Sequence, residues 1–151
     1  MPGSGTTGTW VDETDIRPTL LYLAGLKDDY EPDGRVITEI ATRPGPALGA
    51  PGVTALGACY KQLNSSVGEF GTATLQAATA AIEGSSPGDA SYLRTDKALS
   101  ALERARDRLA GEIKGELDAA AFSGTGVHDA AGQTVACRAL ISSAERLAAG
   151  H

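Results

Sequence analysis

The sequence predicts a mainly α protein: an up-down-up three-helix bundle preceded by a short helix and a turn. Three observations carry that reading. The hydrophobic fraction of 42% leans on 26 alanines while aromatics are only 5% of the 151 residues, a composition that builds thin, closely approached helices more readily than a thick β core. Val53, Leu56, Tyr60, Leu63, Val67, Phe70, Thr74, Ala77 and Ala81 alternate spacings of three and four, a sustained heptad seam. Two glycine-containing breaks, Gly84-Ser-Ser-Pro-Gly88 and Gly124-Thr-Gly126, divide the rest into long periodic stretches.

Residues 1 to 11 are a Gly/Thr/Ser lead-in without periodicity and without the Lys-Ser/Thr ending of a phosphate-binding loop. A short helix follows, with Thr14 or Asp15 as its cap and Pro18 in its first turn, where a missing N–H costs nothing. Leu20, Leu21, Leu23 and Ala24 form its apolar face, and Gly25 ends it. Lys27 to Gly34 is an acidic turn, and Val36, Ile37 and Ile40 suggest a short helix or strand closed by Pro44. The predicted organisation is therefore a first segment over 1–43, a Pro/Gly linker over 44–52 and a helical bundle over 53–151.

The bundle's first helix covers the heptad seam. Gly57, Gly68 and Gly71 each weaken it by up to about 1 kcal/mol relative to alanine, so it requires tertiary support. The second runs from Asp89 to Phe122 with Leu99, Leu102, Leu109, Ile113 and Leu117 as its stripe, flanked by Ala98 and Ala105. The third runs from His128 to Ala149 with Ala136, Leu140, Ala144 and Leu147 on one face. Short connections make them antiparallel neighbours. The third is roughly 15 Å shorter than its neighbours, so Leu75, Ile82, Tyr92 and Leu93 near the Gly84–Gly88 turn are expected to lack cover. In this topology the first and third helices run parallel, with Cys59 and Cys137 at heights differing by about 5 Å. They form either a disulfide or a pair of reduced, buried small side chains.

The charge of −6 argues against a nucleic-acid-binding module, which would carry a basic face. No apolar run approaches the roughly 20 residues of a membrane span, and MPGSGTTGTW has neither part of a secretory signal. Asp29, Glu31, Asp33 and Gly34 imitate the opening of a calcium loop, but positions 9 and 12 are Ile37 and Ile40, which offer no carboxylate. Arg104, Arg106 and Arg108 interleave with Glu103, Asp107 and Glu112 and read as a solvated face laced with ion pairs. His128 and His151 have no partners in sequence, and Asn64-Ser65-Ser66 lies inside a predicted helix.

Residues 10–37, WVDETDIRPTLLYLAGLKDDYEPDGRVI, are the most informative stretch. Asp15, Pro18, Thr19, Leu20, Leu21, Leu23, Gly25, Asp33, Gly34, Arg35 and Val36 follow an order of helix, glycine turn and Asp-Gly element. This resembles a stretch near the end of the catalytic domain in the alkaline-phosphatase/sulfatase superfamily, and the linker and bundle are similar to a C-terminal extension of some large bacterial members. The resemblance implies that the first segment is the last piece of an α/β domain. It further implies a parent hydrolase that cleaves phosphate, phosphonate or sulfate esters with divalent metal, often exported, whose nucleophile and Asp/His ligands lie upstream of this helix. No catalytic, cofactor-binding or metal-ligating residue is then expected in this chain. Thr6, Thr7 and Thr9 match no nucleophile motif. Expected partners are the catalytic domain or a second copy of the chain at the bundle tip. The alternative is a free-standing helical module that binds a partner helix.

Overall fold

A computed structural model describes residues 11–40, 47–84 and 89–150. The described residues are mainly helical and contain no strand: α1 is Ile16–Leu23, α2 Val53–Asn64, α3 Glu69–Gly84, α4 Ala90–Asp118 and α5 Ala130–Ala149. Two compact units divide the chain: Met1–Ala58 with Ile113–Ala130, and Cys59–Glu112 with Ala131–His151.

In the first unit, α1 is entered through a 3-10 turn, Glu13–Asp15. The N-cap position of α1 is Asp15, one of the two expected, but its side chain makes no capping bond to α1; the side-chain cap sits one turn earlier, at Asp12. Its Oδ1 accepts from the Thr14 amide at 2.9 Å, while its own amide donates to Asp15 Oδ2 at 3.2 Å. Asp15 thus becomes the returning member of a capping box. At the other end the Leu26 amide donates to Leu21 O and the Gly25 amide to Tyr22 O. Gly25 has φ +71°, the left-handed conformation that this helix stop requires and that glycine adopts without a Cβ penalty. Thr38–Ile40 is a 3-10 turn, which resolves the helix-or-strand alternative there. Pro44 lies outside the described residues. Ala47 and Leu48 of the predicted linker are buried, as are Val36, Val53 and Leu56.

The described residues of the second unit are mainly helical, and here the expected bundle gains a helix. The predicted first helix is divided at Ser65–Gly68 into α2 and α3. Gln62 Oε1, from the last turn of α2, accepts the Glu69 amide at 3.0 Å and so caps α3, and the Gly68 amide donates to Ser65 O. A Cβ at Gly68 would lie 2.6 Å from Gln62 O, so only glycine lets the chain double back this closely. The seam survives on both sides: Tyr60, Leu63, Phe70, Ala77 and Ala81 are buried and Thr74 half-buried. Val67, in the turn itself, is 73% exposed and is removed from the core.

The second predicted helix is α4, prolonged by a π turn at Ala119–Ser123 up to Gly124. Ile113 and Leu117 are buried, and Leu99, Leu102 and Leu109 are half-buried. In α5 the buried residues are Cys137, Ile141 and Ala144. The expected stripe is therefore rotated: Ala136 faces solvent, Leu140 and Leu147 are half-buried, and only Ala144 keeps its place. Cys59 and Cys137 are bonded as a disulfide, with Cα atoms 6.3 Å apart.

Candidate functional site

Asp15, Thr19, Gly34 and Arg35 converge in the first unit on a buried polar knot. Asp15 is inaccessible to solvent, and its Oδ1 accepts the backbone amide of Arg35 at 2.9 Å. The Thr19 hydroxyl donates to Asp15 O at 2.6 Å and accepts the Ile37 amide at 2.9 Å. Side chains from the turn before α1 and from α1 itself thus satisfy backbone amides of the irregular segment 35–37. Gly34 permits the approach: a Cβ there would sit 2.0 Å from Thr14 O.

Arg35 is only 1% exposed, and its guanidinium forms a fork with Glu39, Nη1 to Oε2 at 3.0 Å and Nη2 to Oε1 at 2.9 Å. Nη1 also donates to Val36 O. The guanidinium lies flat over Gly57 of α2, where an added Cβ would be 3.1 Å from Cζ. Burial pushes the Glu39 carboxyl up, but hydrogen bonds and charge from Arg35 outweigh that and hold it below its ordinary value. The buried Arg35–Glu39 pair was not anticipated from sequence. Its signal was an i,i+4 pair of opposite charges embedded among Val36, Ile37 and Ile40.

Outside the knot, α1 and the turn after it present apolar side chains to solvent. Ile16, Leu20, Leu23 and Leu26 are 53%, 61%, 59% and 58% exposed. The apolar face expected on this helix exists, but Leu21 is only half-buried and Leu20 and Leu23 are uncovered. A groove of about 670 Å³ follows this face, floored by Ile16, Leu20, Leu21 and Leu26. Arg17 and Asp28 edge it, with Nε to Oδ2 at 2.6 Å, and Arg17 lies over the Tyr30 ring at 5.4 Å. The hydrogen bond from Arg17 holds the Asp28 carboxyl below its usual range. A smaller cavity of about 340 Å³ adjoins Pro18, Leu21, Tyr30, Asp118 and Phe122. Phe122 meets Tyr22 edge to face at 6.2 Å, and Lys114 Nζ holds Asp118 at 2.6 Å.

The remaining sequence candidates do not assemble. Asp29, Glu31 and Asp33 are exposed on the acidic turn, and no group of three or more potential metal ligands occurs among the described residues. His128 is exposed, its amide donating to Glu116. Arg104 and Arg108 face solvent, but Arg106 turns inward, pairs with Asp107 at 2.7 Å and lies over the Phe70 ring at 5.7 Å. Asn64 donates to the Tyr60 hydroxyl at 3.0 Å. Thr6, Thr7, Thr9 and His151 lie outside the described residues. No described helix is long and apolar enough to cross a membrane. The polar groups of the knot hold backbone and one another, and the exposed chemistry of the first unit is an apolar face with a charged edge. No family model, curated protein or solved structure matches the chain.

Proposed function

We propose that this chain is a non-catalytic C-terminal portion of an alkaline-phosphatase-superfamily hydrolase, serving packing, docking or assembly. The observation that supports it most is the contrast around α1. Asp15, Pro18, Thr19, Gly34 and Arg35 are buried, whereas Ile16, Leu20 and Leu23 of the same helix are exposed at i, i+4, i+7 spacing. A helix so tightly anchored on one side and apolar on the other is suited to being the outer layer of a larger domain. The parent would hydrolyse a phosphate, phosphonate or sulfate ester with divalent metal. Among the described residues no three potential ligands of such an ion stand together. The metal would therefore be held by another part of the parent.

Sequencing the DNA immediately upstream tests the proposal. An open frame carrying Asp, His and a nucleophile motif is the expected result, and an in-frame stop directly before this segment overturns it. A second reading, a helical module that binds a partner helix, is favoured by Leu75, Ile82 and Leu93 in the second unit, which are 67%, 66% and 54% exposed.

A further inference from the structure

The second unit carries one covalent feature that the docking role does not use. Cys59 of α2 and Cys137 of α5 are its ends, 78 residues apart, and they are 6% and 2% exposed. They are the only two cysteines of the chain, so no resolving thiol lies within it. The span between them holds the whole of α3 and α4. Thiol–disulfide exchange proceeds in line, a thiolate approaching one sulfur of the bond along its axis, so it requires access. Side chains this deeply covered offer little of it to an external dithiol.

We infer that the Cys59–Cys137 bridge is a folding-gated lock: it is closed by an external disulfide while the helices are still open, and it is shielded from reduction once they have closed. The chain therefore matures where disulfide donors are present, in an oxidising compartment. The chemistry balances with a donor disulfide of the oxidoreductase or oxidised-glutathione class. One cysteine thiolate attacks a donor sulfur and forms a mixed disulfide, expelling one donor thiolate. The other cysteine thiolate then attacks the bound cysteine's sulfur, forming the protein bridge and releasing the second donor thiolate. Two electrons pass from the cysteines to the donor, and their two protons end on the donor thiols.

The test is reduction of the purified oxidised chain by dithiothreitol, followed by alkylation and mass measurement over time, in native buffer and in concentrated urea. The lock requires reduction at least about a hundredfold slower in native buffer than in urea at the same dithiothreitol concentration, because the bond is reached only through opening. Equal rates in the two buffers overturn it. Two alkylated thiols before any reductant is added overturn it as well. The return path uses the same material. Reduced, unfolded chain diluted into oxidised glutathione must regain the bridge, whereas chain allowed to refold reduced before glutathione is added must regain it at least about tenfold more slowly. Equal recovery by the two routes shows that closure of the helices does not gate the sulfurs.

Discussion

Single atoms decide how the first segment is held. Gly34 faces Thr14 O so closely that a methyl group cannot enter without moving two backbone segments of the knot. Gly34→Ala is expected to cost about 3 kcal/mol, read as a lower urea midpoint with an unchanged slope. Gly84, with open space around its Cβ position, is the control: Gly84→Ala should shift the midpoint little. The Arg35–Glu39 fork is tested by pH. The folded-state value of Glu39 is depressed below its unfolded one, so its stabilising contribution is complete above the ordinary glutamate value near 4.5 and is lost as pH falls through the folded value. Glu39→Gln leaves a buried guanidinium without its counter-charge and should lose about 3 kcal/mol at neutral pH. The same variant should lose less than the natural chain on going from neutral pH to pH values below that range. Parallel acid profiles for the two proteins would show that the pair does not carry the acid sensitivity.

For the helices, periodicity located the elements and local contacts set their limits. The alternation of three and four placed Leu63 and Phe70 in the core because burial follows the face of a helix whichever side of a turn it lies on. It could not show the turn, because Ser65–Gly68 replaces one helical turn without shifting the seam that resumes at Phe70. The signals for it were polar Asn64-Ser65-Ser66 and Gly68, and their meaning depends on the close approach to Gln62 O, a contact that spacing does not reveal. The rotated stripe of α5 has a related cause: its alanines make several faces equally apolar, so the disulfide partner Cys137 and the bulk of Ile141 decide which turns inward. The knot was the least legible part, since Asp15, Thr19 and Arg35 are polar side chains whose burial depends on one another across about twenty residues. Phe70→Ala should cost about 3–5 kcal/mol and Val67→Ala under about 0.5 kcal/mol. Similar losses in thermal melting for the two variants would place the seam through the turn after all. On α1, Leu20→Ser should leave the melting temperature nearly unchanged, because 61% of that residue already meets water. On the proposed docking role it should nevertheless abolish association with the parent's catalytic domain in a pull-down. A pull-down unaffected by Leu20→Ser would remove the groove from the docking role.

At the level of the molecule, the docking reading makes an activity prediction. The purified chain, supplied with zinc, magnesium, manganese or calcium, should not exceed the blank on p-nitrophenyl phosphate, bis-p-nitrophenyl phosphate or p-nitrophenyl sulfate. Metal-dependent turnover that follows this chain through purification would place a working site within it. The contact between Arg35 and Gly57 has a separate, practical consequence for anyone who divides the chain. A protease that cuts between Ile40 and Ala47 breaks one peptide bond but leaves the guanidinium seated on α2, so the two pieces should elute together until urea parts them. A recombinant version begun at Val53 fares differently. It retains Gly57 but strips away the arginine that covers it, leaving bare backbone at the start of α2, and it should be less soluble than the nicked protein although it contains every residue of the predicted bundle.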